Sequence, residues 1–162
     1  MADFESLGAL ESGSIDVVMS SDSFVYCQDR EKMMDEMARI VAPGGVVAFT
    51  DYLRHPEAEQ ADVQEVCDRL KFHDFGTLEA YAARLAANGL QKIVAEESPE
   101  NIIRHYGYIH HCAATLKREQ LLADGCSPAF LEMQKKGMRK WVETGLNRIV
   151  TWGWCVFKKL PK

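Results

Sequence analysis

Ile15-Asp16-Val17-Val18-Met19-Ser20 and Val46-Val47-Ala48-Phe49-Thr50 are two short apolar runs separated by a single helical repeat. The first is bounded by Glu11-Ser12-Gly13-Ser14 and by Ser20-Ser21-Asp22. Its length and β-branching predict a buried strand of the kind parallel sheets use. Asp29 stands where a helix cap belongs, and Met33, Met34, Met37, Ile40 and Val41 follow helical spacing from Arg30 to Val41. Ala42-Pro43-Gly44-Gly45 stops that helix, because proline cannot continue the ladder and glycine accepts left-handed dihedrals. The second run follows at once as another buried strand. Strand, helix, glycine turn and strand within about 35 residues predict a right-handed βαβ unit.

Outward from this unit the helical period returns at Glu59 to Lys71 and at Thr77 to Asn88, and Leu90 to Glu96 reads as a third strand. Two long helical stretches follow, Pro99 to Ala123 and Pro128 to Gly145. Each opens with a Ser-Pro pair, serine as the cap and proline in the first turn. Arg148 to Lys159 reads as a last strand. The order β-α-β-α-α-β-α-α-β, without repeat or linker, defines an α/β class.

Composition agrees with that class. The 162 residues, 47% hydrophobic and 27% charged, suit one domain with one core and exclude disorder. Nineteen basic against 24 acidic residues give a net charge of −5, so nucleic acid is not an expected partner. No apolar run reaches the roughly 20 residues of a membrane helix. The acidic start Met-Ala-Asp-Phe-Glu resembles neither a secretory nor a transit signal. The five cysteines are scattered without a C-x-x-C pair. Together these predict a cytoplasmic protein with reduced thiols and no membrane partner.

Ligands of open parallel sheets bind beyond the carboxyl ends of the strands. The first strand runs out into Ser20-Ser21-Asp22-Ser23-Phe24-Val25-Tyr26, and the second into Thr50-Asp51-Tyr52. Each end carries an acid and a tyrosine. Asp22 and Asp51 either hold a cationic group or merely close the strand ends. Trp141, Trp152 and Trp154 either line an aromatic pocket or pack the sheet. His105, His110, His111 and Cys112 lack metal-ligand spacing, and no metal is expected. Lys135, Lys136, Arg139 and Lys140 read as a solvated basic face.

Three groups of residues carry a resemblance. They are Gly-Ser-Ile-Asp-Val-Val-Met-Ser-Ser-Asp-Ser-Phe from Gly13 and Ala-Arg-Ile-Val-Ala-Pro-Gly-Gly-Val-Val-Ala-Phe-Thr-Asp from Ala38; Asp68-Arg69-Leu70-Lys71-Phe72-His73-Asp74-Phe75-Gly76; and Cys126-Ser127-Pro128 with Thr151-Trp152-Gly153. The first resembles the second half of a class I S-adenosylmethionine-dependent methyltransferase. The others resemble sarcosine/dimethylglycine N-methyltransferases, with phosphoethanolamine N-methyltransferases second.

The resemblance implies a truncated Rossmann-like sheet of strands four, five, seven and six, the last two antiparallel. It places two long helices before the last strand, as a lid-like insertion at about residues 99–147 of a C-terminal domain portion spanning 1–162. It implies S-adenosylmethionine as cofactor and methylation of a small amine such as sarcosine or dimethylglycine, toward glycine betaine. Asp3, Phe4, Ser20 and Ser21 match cofactor-binding positions. Asp22, Tyr52 and Arg69 match substrate positions, an arginine suiting a carboxylate by bidentate pairing. Tyr26 stands at a catalytic position where related enzymes often have histidine. A phenol is the poorer base at neutral pH, which leaves orientation and cation–π contact as its roles.

No G-x-G-x-G turn occurs, and Gly44-Gly45 closes a helix instead of opening one. By the family pattern the first half of the fold is missing. The expected partners are therefore the small amine, and either that half or a second copy bound through the exposed sheet edge. The alternative function is a non-catalytic remnant serving as a binding or dimerisation module.

Overall fold

The computed structural model describes residues 4–161. Four strands form one sheet in the order β1-β2-β4-β3, with β1 at Ile15–Ser21, β2 at Val41–Arg54, β3 at Leu90–Glu97 and β4 at Val150–Lys159. β1 pairs parallel to β2, while β4 runs antiparallel to both β2 and β3. The helices are α1 (Arg30–Ile40), α2 (Gln60–Leu70), α3 (Leu78–Ala87), α4 (Pro99–His111), α5 (Arg118–Ala123) and α6 (Pro128–Leu146). No helix among the described residues is long and apolar enough to cross a membrane.

Local chemistry starts these helices where the sequence indicated. The Asp29 carboxylate accepts from the Lys32 N–H at 3.0 Å, the Thr77 hydroxyl from Ala80 at 3.1 Å, and the Ser127 hydroxyl from Phe130 at 3.1 Å. Ser98 departs from this pattern. Its side chain makes no cap bond, and its backbone N–H donates to the Trp152 carbonyl at 2.7 Å, tying the start of α4 to β4. At the other end of α1, Lys159 Nζ donates to the carbonyls of Ala38 and Val41, a cation placed on a helix C-terminus.

The first long helix is broken. A π-helical turn at Cys112–Leu116 separates α4 from α5. The Thr115 hydroxyl donates back to the His111 carbonyl at 2.8 Å, and the Lys117 N–H reaches five residues back to Cys112. A hydroxyl competing for the helix ladder and a five-residue bond both widen the turn.

Two apolar clusters divide the molecule. Met33, Met34 and Met37 of α1 pack with Val47, Phe49, Phe157, Tyr81 and Leu85, joining α1 and α3 to one face of the sheet. Val63, Val66, Ile102, Tyr106 and Trp141 form the second cluster, which gathers α2, α4 and α6 around the end of the sheet near Val150. β2 is longer than the sequence indicated, running from Val41 through the glycine turn to Arg54. Gly44 sits at φ +80°, the left-handed region in which glycine carries no steric cost.

β1 corrects a second expectation. It takes the edge position that the resemblance implied, but it is not buried: Val17 is 60% exposed and Met19 82%. An apolar run records that a strand has two faces meant for cover, but not whether the covering elements are present.

Candidate active site

Chain direction reverses just after β1. Asp22 adopts φ +51°, a left-handed conformation that a short acidic side chain tolerates. Its N–H donates to the Thr50 carbonyl at 2.9 Å, fastening the turn to the neighbouring strand. Its Oδ1 accepts from the Thr50 hydroxyl at 2.8 Å and from the Trp152 indole N–H at 2.9 Å. No bond to Oδ2 is found among the described residues, so one carboxylate oxygen remains available. Sequence-distant β1 and β4 are thereby locked together through a single acid.

Asp22 and Trp152 line a cavity of about 340 Å³ together with Tyr52 of β2 and Ile102, Arg104 and Tyr106 of α4. Asn101, three residues before Arg104, and His105, next to it in the chain, complete the α4 wall. The hydroxyls of Tyr52 and Tyr106 lie 2.7 Å apart. Trp141 stacks on Tyr106 with ring centroids 4.9 Å apart and meets Tyr52 at 5.1 Å. Burial pushes both phenols above their ordinary range, the Tyr52–Tyr106 bond adding to the shift at Tyr106. Both therefore stay neutral hydroxyls at physiological pH. The result is an aromatic cavity with one carboxylate and one guanidinium on its walls, suited to a small cationic or zwitterionic ligand.

The sequence-predicted residues distribute unevenly around this cavity. Asp22 and Tyr52 meet in it, as their strand ends suggested. Ser20 and Ser21 end β1 beside it, with the Ser21 hydroxyl accepting from Thr50 at 3.2 Å. Tyr26 lies outside the lining, 63% exposed, its ring edge-on to Phe72 with centroids 5.2 Å apart. Arg69 on α2 also lies outside it and donates to the Thr144 hydroxyl of α6 at 3.5 Å. Phe4 is partly exposed near the start of the described chain, and Asp3 lies outside the described residues. Of the tryptophans, Trp152 reaches the cavity whereas Trp154, opposite Thr50 on the sheet, does not line it. Sequence reading missed Tyr106 and Arg104. The spacing of Ile102 and Tyr106 on the apolar face of α4 hinted at Tyr106, and no sequence signal marked Arg104.

Asp51 is a correction. Because β2 continues to Arg54, Asp51 lies inside the strand, and alternation turns it away from Tyr52. It is fully buried, with Oδ2 accepting from the Tyr81 hydroxyl at 2.6 Å and Oδ1 without a partner. Burial pushes its carboxyl up to about 7, against the opposing pull of Tyr81 and Arg30. The folded state therefore holds a proton that the unfolded chain releases near pH 4. Stability from this group is full at low pH and is lost as pH rises toward and through about 7. Urea unfolding should show the protein losing roughly 2 kcal/mol between about pH 5 and about pH 8, and Asp51→Asn should flatten that slope. A wild-type slope that survives in Asp51→Asn would place the titration elsewhere.

The comparisons with known proteins bear on this geometry. Residues 1–49 match the family model described as a methyltransferase domain. The chain is similar to the sarcosine/dimethylglycine N-methyltransferase of Halorhodospira halochloris, at 31% identity over 92% of this chain. It is similar to the dimethylglycine N-methyltransferase of Parasynechococcus marenigrum, at 30% over 98%. Among solved structures, a protein of Galdieria sulphuraria assigned to the sarcosine dimethylglycine methyltransferases superposes with a TM-score of 0.85 at 29% identity, over 98% of this chain and 58% of that one. The chain carries part of a class I methyltransferase fold. It spans about half the length of the two curated relatives, 53% and 55%. The same methyltransferase fold is seen in the phosphoethanolamine N-methyltransferase 2 of Haemonchus contortus, with a TM-score of 0.88 at 18% identity over 100% of this chain and 37% of that one.

Proposed function

We propose that this chain forms the acceptor-binding portion of an S-adenosylmethionine-dependent N-methyltransferase acting on a small amine such as sarcosine or dimethylglycine. The observation that carries this reading is the cavity where Asp22 meets the rings of Tyr52, Tyr106 and Trp152, in a chain related to enzymes of that activity.

S-adenosylmethionine, when bound, supplies an activated methyl group on a sulfonium. The residues present suit one wall of its site. Ser20 and Ser21 end the open edge strand β1, and Phe4 keeps an exposed ring face. The chain's own work lies on the acceptor. The free Oδ2 of Asp22 attracts the substrate ammonium, and the indole held by Oδ1 presents its ring beside it. The neutral Tyr52 and Tyr106 hydroxyls orient without adding charge. Holding the amine in line with the methyl group converts a bimolecular encounter into an oriented one. Tyr26, exposed beyond the cavity, is assigned an orienting role at the mouth.

The experiment supplies the chain with the part of the domain that the relatives possess beyond the matched span, and follows conversion of dimethylglycine to glycine betaine by mass spectrometry. Methylation of dimethylglycine is the expected result. Methylation of phosphoethanolamine alone, or of no amine, would falsify the substrate assignment.

A second reading is favoured by β1. Its exposed edge and the outward Val17 and Met19 form a surface ready to pair with another strand. That strand belongs either to the rest of the fold or to a second copy in a non-catalytic dimer. Sedimentation of the chain alone and of the mixture separates them: a homodimer that the added portion cannot dissociate favours the binding module.

A further inference from the structure

We infer that Arg104 of α4 is the residue that selects acceptors bearing a carboxylate, a role that rests on the N-methyltransferase reading above. The cavity wall contains one acid and one arginine, Asp22 from the sheet and Arg104 from the helix. No ion pair joins them among the described residues. Every ion pair found is made by other groups. Asp22 spends its bonds on Thr50 and Trp152, and Arg104 has no hydrogen-bond partner among the described residues. Two opposite charges therefore face one small space without neutralising each other. A zwitterion whose cationic and anionic ends are separated by a short carbon link satisfies both.

The chemistry of the two ends differs in kind. The rings of Tyr52, Tyr106 and Trp152 suit a methylated ammonium, which has few or no N–H groups to donate and binds through ring faces. A guanidinium presents a planar fork that matches a carboxylate with two parallel bonds. Asn101, one turn before Arg104, and His105, next to it in the chain, line the same cavity and offer further donors to that anionic end. An amino alcohol of the same size, cationic but without a carboxylate, would leave the Arg104 charge unanswered. Arg69, the arginine that the sequence singled out, contacts Thr144 and does not line the cavity.

Calorimetric titration of the chain with glycine betaine and with choline tests this directly, because the two share a trimethylammonium and differ in the carboxylate. The expected result is glycine betaine bound at least about tenfold tighter than choline. Arg104→Ala should weaken glycine betaine by about tenfold and leave choline unchanged, with Arg104→Lys keeping part of the preference. Arg104 is exposed, so its loss leaves folding intact, which circular dichroism checks. Glycine betaine and choline bound equally by the wild type would overturn the role of Arg104 while leaving the ammonium pocket standing. Loss of the preference in Arg69→Ala but not in Arg104→Ala would move the carboxylate to α2 and overturn it too. Binding of neither compound would overturn the acceptor pocket, and this inference with it.

Discussion

Asp22→Asn is expected to lower kcat/KM for the amine acceptor by about 100-fold, equivalent to about 2.7 kcal/mol of lost transition-state stabilisation. The asparagine oxygen can still accept from Trp152 and Thr50, so the turn and the indole orientation survive. What disappears is the negative charge beside the ammonium, in a cavity walled by aromatic rings where a charged hydrogen bond is worth more than in water. Asp22→Ala removes the anchor of Trp152 as well and should fall further, to roughly 1000-fold. Steady-state kinetics of the chain supplied with the part of the domain that its relatives possess beyond the matched span reads both. A loss of less than about threefold in Asp22→Asn would remove the acid from the acceptor site.

The largest stability effect is expected at Gly76. A Cβ there would lie 2.2 Å from the Tyr81 hydroxyl oxygen and 2.3 Å from its ring. Neither side can give way. Tyr81 is fully buried, bonded to Asp51 and set edge-on to Phe49 and Phe24. The Gly76 carbonyl accepts from the Arg54 N–H at 2.8 Å, which holds the segment against β2. Gly76→Ala should therefore cost roughly 3 kcal/mol or more, through overpacking and loss of a buried hydrogen bond. Gly137→Ala is the contrast. It lies in α6 with open space around it, and should stabilise by about 0.5–1 kcal/mol from helix propensity. Urea denaturation of the two variants reads the difference. A cost below about 1 kcal/mol at Gly76 would mean that Tyr81 repacks freely.

The fold was legible wherever one segment decides its own conformation. Asp29, Thr77 and Ser127 cap the helices that follow them because the capping group lies within three residues of its partner. The Pro43-Gly44-Gly45 stop and the helical spacing of Met33, Met34 and Met37 are equally local, and both hold. The π turn at Cys112–Leu116 escaped because a threonine bonding back to His111 leaves the apolar period nearly intact.

Charge made the site harder to read than the fold. Asp22 and Asp51 look alike in sequence, each following a strand and preceding a tyrosine. One faces a cavity and the other lies buried under Tyr81. The difference rests on where β2 ends, which its pairing with β4 sets from about a hundred residues away in the chain. The sequence by itself determined the βαβ unit, the caps, the turns and the kinship with methyltransferases, since these depend on neighbouring residues or on motif identity. Only the tertiary structure decided which acid meets Trp152, that Tyr106 and Arg104 share its cavity, and that Val17 and Met19 of β1 lie exposed. Those facts depend on contacts between segments distant in the chain, and alternation along a strand gives no sign of them until its partners are in place.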